Sequence, residues 1–420
     1  LPDWEDRLDP DFDFINDKYS IGHVKNPYKY DHYCHQLLNF PPYDGILISL
    51  NIFQSKIRID DNNGIYKIRN CVNVKDYLKI PKESNLKVMG DCGAFSYVDK
   101  NEPPASFYNT ENISAIYDKL GFDYGVSIDH LAVDYILVKD ELTGKRKKRF
   151  LTESEKKTRV EITISNARKF KALYEKSQFG FIPIGVAQGY DISSYIDSVD
   201  ALINMGYKYV GIGALIQYKS EFIVKLLKEI KPFAKDAKLH LFGVLRPKCL
   251  KDFENLGVYS FDSASFLRKA WLKSAQNYLS LDGKWYSAIR VPQSSNPRLT
   301  KNANLNGLSS EDLKRMEREA LTVLVEYDAG NVTIDQALDT VLEYDNLLLR
   351  GYSDVKNLKP KYLRTLQDKP WKTCNCKLCK KLGIQIIIFR GCNRNKRRGF
   401  HNVWAFRESY YRDLNKSGYP

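Results

Sequence analysis

The chain has 420 residues, with 65 Lys and Arg against 51 Asp and Glu, giving a formal net charge of +14. With 43% hydrophobic and 28% charged residues it is not a disordered tail, and no apolar run approaches the ~20 residues of a membrane-spanning helix. The positive surplus points to a polyanionic partner. The acidic opening LPDWEDRLDPDFDF lacks the basic-then-apolar order of a signal peptide, so a cytoplasmic location is expected.

Residues 1–43 are rich in Asp, Tyr and His without a clear period and are expected to wrap the core. Eight short apolar or β-branched runs follow: Gly45–Leu50, Leu86–Gly90, Tyr124–Ile128, Ile182–Val186, Tyr209–Ile212, Leu239–Leu245, Val258–Phe261 and Trp285–Val291. Amphipathic segments such as Tyr195–Met205 and Ser220–Ala234 separate most of them. Strands alternating with helices in this number predict an α/β fold, a (β/α)8 TIM barrel over residues 44–307.

The rhythm is interrupted at about 131–160 by KDELTGKRKKRFLTESEKKTR, a hairpin or flexible insertion turning at Thr143-Gly144. Its run Lys145, Arg146, Lys147, Lys148, Arg149 is either a solvated loop or an arm that contacts phosphate. Beyond a polar linker, Ser309-Ser310-Glu311-Asp312 is an N-cap cluster for a helix to about Tyr327, and a second helix follows Thr333 to about Leu349. Residues 308–420 are expected to form a helical, zinc-binding C-terminal appendage.

Four of the eight cysteines are scattered singly (Cys34, Cys71, Cys92 and Cys249) and read as small buried hydrophobes. Cys374, Cys376 and Cys379 form a C-x-C-x-x-C unit, whose thiolates converge readily on one soft cation. A redox cluster is the competing reading, but a reducing compartment favours structural Zn2+. A fourth ligand could come from Cys392 or His401.

In a barrel, catalytic side chains stand where strands meet the loops that follow them. Asp91, Asp129 and Asp262 occupy such places, as do Gln188-Gly189 and Gly211–Ala214. One carboxylate can serve as an oxygen nucleophile and another as an acid/base, which suits chemistry at an anomeric carbon. A third, beside amides, can recognise a purine-like edge. A lone Asp here would as readily cap a helix; three on one rim favour chemistry. His130 reads as a neighbour of Asp129, and His240 as a packed core residue.

Taken in order, these motifs resemble the tRNA-guanine transglycosylases over about residues 44–405. DCGAF at Asp91–Phe95 resembles the family's DSGGF/Y, SID at 127–129 its base-reading aspartate, and GVAQG at 185–189 its GIVQGG. GIGAL at 211–215 resembles GGLAVG, and FDSASFLR at 261–268 resembles FDCVLPTR. CNCKLC with the later His401-Asn402 resembles the zinc signature and favours His401 over Cys392. The departures are Ala94 and Ser96 after the first aspartate, Phe266-Leu267 in place of Pro-Thr, and a missing glutamate near Gln217. Together with the insertion and the basic GCNRNKRRGFHN, they look like the DpdA-like branch, which places 7-deazaguanines into DNA.

The resemblance implies a pentosyltransferase that exchanges guanine for 7-cyano-7-deazaguanine (preQ0) in DNA. Asp262 would be the nucleophile and Asp91 the acid/base. Phe95, Asp129, Gln188, Gly213, Ala214 and Leu215 would hold the base, and Cys374, Cys376, Cys379 and His401 would hold structural Zn2+. Phosphate contacts are expected from Lys145–Arg149 and from Arg394, Lys396, Arg397 and Arg398. Arg268 stands between a phosphate contact and an internal salt bridge. Accessory proteins of a DNA-modification system fit as partners. Exchange on tRNA, or a non-catalytic nucleic-acid-binding barrel, are the alternative functions.

Overall fold

The computed structural model describes residues 6–60, 64–140, 143–272, 275–349 and 358–416. They fall into two compact units, one of residues 44–264 and one joining residues 6–43 to residues 265–416.

The first unit is an α/β layer built on β1 (Gly45–Ser49), β2 (Lys87–Asp91) and β3 (Tyr124–Val126). A hairpin of β4 (Tyr135–Lys139) and β5 (Arg146–Phe150) follows, then β6 (Ile182–Ala187), β7 (Tyr209–Ile212), β8 (Lys238–Leu241) and β9 (Val258–Phe261). Seven of these form one sheet in the order β1-β2-β3-β6-β7-β8-β9, with every pairing parallel. Strands covered on both faces read as continuous apolar runs, which is why they were legible. Val126, Ile184, Val186 and Tyr209 are buried together, with Met89, Tyr124 and Phe242 packed against them.

Helices Thr110–Lys119, Glu153–Ser177, Ile192–Asn204 and Ser220–Ala234 connect the strands. Local chemistry sets their ends. Thr152 and Glu155 form a capping box at the start of the second, and Asp191 caps Ser194 N–H in the third. Gly90 lets the first helix lie close: a Cβ there would stand 2.2 Å from the Tyr117 ring.

The insertion is a regular antiparallel hairpin, β4 against β5, and Arg149 and Glu155 brace its root at 2.6 Å. The expected eighth strand does not join the sheet. Trp285–Tyr286 pairs with Tyr278–Leu279, and Ile289–Arg290 pairs with Ile388–Phe389. Local partners claim its backbone: Asn277 accepts the Ala288 N–H at 3.1 Å, and the Tyr362 hydroxyl accepts that of Arg290 at 3.1 Å.

In the second unit, the helices expected after Ser309 and Thr333 are Ser310–Ala329 and Ile334–Leu349. The long helix Gly391–Lys416 holds the N-terminal segment. Arg394 bonds Asp17 and, at 2.8 Å, the Phe14 carbonyl; Arg397 donates to the Asp9 carbonyl at 2.7 Å. Arg398 donates to the carbonyls of Ile386 and Ile388, each at 3.0 Å, and of Ala270 at 2.6 Å. All three arginines are buried. This corrects the expectation that they meet phosphate: their guanidiniums satisfy the protein's own carbonyls. Residues 6–43 accordingly group with the C-terminal unit, and the division falls after Ala264 rather than at 307.

Candidate active site

The C-terminal ends of the parallel strands in the first unit bring the expected acids together. Asp91 ends β2, Asp129 lies in the loop after β3, Gln188 follows β6 directly, and Asp262 follows β9 directly. Side-chain oxygens of Asp91 and Asp129 and the Cys92 sulfur lie within 4.8 Å of one another.

Asp129 is buried and held from several sides. Gln188 Nε2 donates to its Oδ2 at 2.6 Å, and the Cys92 thiol donates to its Oδ1 at 3.1 Å. Its own carbonyl accepts the Tyr97 hydroxyl at 2.9 Å. Burial pushes the Asp129 pKa up, and the Cys92 and Gln188 hydrogen bonds oppose the rise. Asp91 accepts the Gly93 N–H at 3.1 Å. Although it keeps some surface, burial first, then the charges of Asp129 and Asp262, raise its pKa to about 8. A pKa in that range favours the protonated form of Asp91 at neutral pH.

Asp262 is differently placed. Its Oδ1 accepts the Gly243 N–H at 2.8 Å and lies 3.4 Å from His240 Nε2, out of line for a hydrogen bond. No partner of its Oδ2 is found among the described residues. One oxygen is thus anchored by the backbone, and the other is not.

Gln188 is fully buried, and its Oε1 has no hydrogen-bond partner among the described residues. Gly213 allows this placement, because a Cβ there would stand 2.2 Å from Gln188 Nε2. The Gly213 N–H donates to the Ala187 carbonyl at 3.0 Å and its carbonyl accepts the Tyr195 hydroxyl at 2.8 Å. Ala214 follows in the left-handed region, φ 57°, and opens the short turn Leu215–Gln217. Phe95 is 65% exposed on the turn Ala94–Tyr97.

His130 is a structural neighbour. Its Nε2 lies 3.0 and 3.1 Å from the carbonyls of Lys100 and Asn101, so this nitrogen carries the proton. Burial and the Arg159 charge lower its pKa to about 4, which keeps the ring neutral.

Sequence reasoning missed Cys92 and Tyr97, which clamp Asp129, and His240, which faces Asp262. Cys92 was read as a scattered hydrophobe. Its place beside Asp91 was the signal that it belongs to the site.

In the second unit, Cys374, Cys376, Cys379 and His401 form one buried cluster. His401 Nδ1 lies 3.8, 3.5 and 3.4 Å from the three sulfurs in turn. Zn2+ with Zn–S of about 2.3 Å and Zn–N of about 2.0 Å in a tetrahedron sets N and S about 3.5 Å apart, so this donor set fits the metal. His401 Nε2 donates to the Leu279 carbonyl at 2.7 Å, which leaves Nδ1 unprotonated toward the sulfurs. Tyr278 stacks on the imidazole with ring centroids 4.1 Å apart. Asn402 accepts the Leu279 N–H at 2.9 Å, which explains the His-Asn pair. Cys392 is exposed and outside the cluster.

Of the expected phosphate contacts, Lys145 and Arg146 are exposed, Lys147 pairs with Asp140 at 2.8 Å, and Arg149 pairs with Glu155. Lys148 lies over the Tyr135 ring at 4.1 Å. Lys396 donates to the Arg7 carbonyl at 2.9 Å. Arg268 is exposed; burial raises the pKa of Asp6, and Lys396 and then the Arg268 charge oppose that rise. No described helix is long and apolar enough to cross a membrane.

No family model matches this chain. A curated protein, the DNA-guanine transglycosylase of Salmonella montevideo, is 36% identical to it over 414 residues, covering 96% of this chain and 94% of that protein.

Proposed function

This chain belongs to the guanine transglycosylase family, and on that premise we propose that it exchanges guanine in DNA for the 7-deazaguanine preQ0. The observation that carries the reading is the gathering of Asp91, Asp129 and Asp262 at the strand ends, where burial and neighbouring charge raise the Asp91 pKa and Asp262 has only its Oδ1 anchored, on the Gly243 N–H. The name of the relative supports DNA as the substrate. Seven parallel strands taken in chain order, with helices between them, support the (β/α)8 reading.

The target guanine leaves the stack, at a cost of a few kcal/mol. Asp262 Oδ2 attacks C1′ as the C1′–N9 bond breaks, and the bonding pair leaves with the purine. Asp91 delivers its proton to that purine. The incoming 7-deazaguanine then gives its N9 proton to the Asp91 carboxylate and attacks C1′, which frees Asp262. Asp129 and Gln188 read the polar edge of the base. The N–H groups of Ala214 and Leu215, at the open start of a helical turn, supply further donors. Phe95 is free to stack on the ring. Catalysis is positioning and electrostatics, since no phosphoanhydride is consumed. Zn2+ would be held structurally by Cys374, Cys376, Cys379 and His401, all four positions being protein donors. Such thiolates persist in a reducing compartment such as the cytoplasm.

The test is incubation with preQ0 and either DNA or tRNA, followed by nucleoside mass analysis. The DNA reading expects preQ0 deoxynucleoside; exchange confined to tRNA would overturn it. Asp262→Asn should yield no covalent protein–DNA adduct, and a wild-type exchange rate in that variant would sink the nucleophile assignment.

A further inference from the structure

The hairpin β4–β5 is charged unequally on its two faces. Cross-strand neighbours share a face, so Tyr135 with Phe150, Leu137 with Lys148, and Lys139 with Arg146 form one face. Ile136 with Arg149, and Val138 with Lys147, form the other. On the second face Ile136 is buried, and both cations are matched by carboxylates: Lys147 by Asp140 at 2.8 Å and Arg149 by Glu155 at 2.6 Å.

The first face is the reverse. Lys139, Arg146 and Lys148 are exposed and have no carboxylate partner among the described residues. Beside them, Phe150 is 70%, Leu137 49% and Tyr135 37% exposed. The Tyr135 and Phe150 rings lie 5.9 Å apart at the root, and Lys148 sits over Tyr135 at 4.1 Å. A strand of five residues extends about 17 Å, so an aromatic pair at the root and cations toward the turn line one face of a ribbon of that length.

We propose that this face binds a single-stranded stretch of the DNA next to the exchanged base. Charge complementarity gives a polyanion. Exposed aromatic faces add the requirement for unpaired bases, because a base inside a duplex offers no free π-face. Extruding one nucleotide unstacks its neighbours and supplies such bases. The ribbon is also well placed in the chain, since it follows the loop that carries Asp129. The inference rests on the DNA reading above and assigns its contact surface. It also replaces the whole run Lys145–Arg149 by one face, with Lys147 and Arg149 excluded.

The experiment measures affinity of the full chain for a labelled guanine-containing single strand between 50 and 200 mM salt, ~20 nucleotides being ample for one ribbon. Replacing Lys139, Arg146 and Lys148 together by Gln should lower the salt slope by about 2, as three single-strand phosphate contacts at about 0.7 each require. Phe150→Ala should weaken binding by roughly 5- to 100-fold with the slope unchanged, as loss of one stacked base predicts. The Lys147→Gln, Arg149→Gln pair should leave the slope within about half a unit. An equal slope change in that pair, or no effect of Phe150→Ala, overturns the face assignment. If these failures come with preQ0 exchange on DNA intact, the ribbon inference falls alone. If the variants lose tRNA binding instead and only tRNA is exchanged, the DNA reading falls with it.

Discussion

His240 Nε2 stands 3.4 Å from Asp262 Oδ1, the oxygen that also accepts the Gly243 N–H. The other ring nitrogen, Nδ1, is 2.6 Å from Ser260 Oγ, which in turn meets the Tyr209 hydroxyl. A hydrogen-bonded chain thus runs from buried Tyr209 through half-buried Ser260 to the buried His240 ring, which stands against the carboxylate. The Gly243 N–H anchors Oδ1, and the His240 ring, packed against that oxygen without a hydrogen bond to it, is expected to limit the rotation of the carboxyl and so the aim of Oδ2. His240→Phe should reduce guanine release at saturating DNA by about 10-fold or more, about 1.4 kcal/mol, with KM for DNA within about twofold. His240→Gln, which can still reach Asp262, should recover part of the loss. Equal damage in both variants, or a change in KM alone, would show that the ring serves packing only.

Gly213 offers a steric test of the base pocket. The methyl of Gly213→Ala would arrive 2.2 Å from Gln188 Nε2 and must displace the amide that holds Asp129. The expected outcome is a KM for the free base raised by about 10-fold, the scale of one lost hydrogen bond to a charged group, with fold stability nearly kept. Gln188→Ala, which vacates the space, should make Gly213→Ala almost silent in the double variant. Additive losses would contradict the contact.

The pKa of Asp91 carries a pH prediction with a definite sign. Its folded value is about 8, against an ordinary 3.8. Between those values the unfolded chain has released this proton while the folded chain keeps it, so the stability contributed by Asp91 falls as pH rises from 4 to 8. Asp91→Asn, neutral at every pH, should therefore gain on wild type in urea as pH rises, by at least about 1 kcal/mol between pH 5 and 8. Guanine release by the wild type should decline above pH 8, where the donor proton is lost. A constant difference between the two proteins would refute the protonated acid.

Much of this was legible because parallel strands covered on both faces leave unbroken apolar runs, and their ends carry the acids. β7 and β9 match the expected Tyr209–Ile212 and Val258–Phe261 residue for residue. Trp285–Val291 has the same composition, but its backbone is claimed by Asn277 and Tyr362, which sequence period cannot show. The same holds for arginine. Arg394–Arg398 and Lys145–Arg149 read alike as charge runs, yet one is enclosed by carbonyls distant in sequence and the other lies open on a ribbon. Whether a cation faces solvent is decided by tertiary partners rather than by its neighbours in the chain.

That contrast predicts opposite phenotypes. Arg397→Ala leaves the Asp9 carbonyl and Asn393 Oδ1 without their buried donor. It should cost about 3 kcal/mol of stability and leave the salt slope of DNA binding unchanged. Urea unfolding and binding titrations on one preparation separate the two effects. A slope lowered by about 1 with full stability would restore Arg397 as a phosphate contact.

Metal removal is the sharpest test of the second unit. His401 Nδ1 stands 3.4 to 3.8 Å from the three sulfurs, all four donor atoms lie within 4.8 Å of one another, and each residue is buried. Without a cation, packing thiols and an imidazole this closely would be costly, because burial penalises any thiolate. One equivalent of zinc is therefore expected by elemental analysis. Co2+ in its place should give the absorption of a tetrahedral thiolate site. Cys379→Ser and His401→Ala should lose the metal, whereas Cys392→Ser should retain it, since Cys392 is exposed and apart. Loss of the metal should destabilise the fold by at least about 3 kcal/mol, a fraction of the binding energy of structural zinc. At about 2–4 °C per kcal/mol for a fold of this size, the midpoint should drop by roughly 10 °C. Asp91, Asp129 and Asp262 belong to the other unit and lie outside the Cys374, Cys376, Cys379 and His401 cluster, so exchange activity should fall only in step with unfolding of the second unit. Activity lost while the chain remains folded would instead give the metal a part in the chemistry.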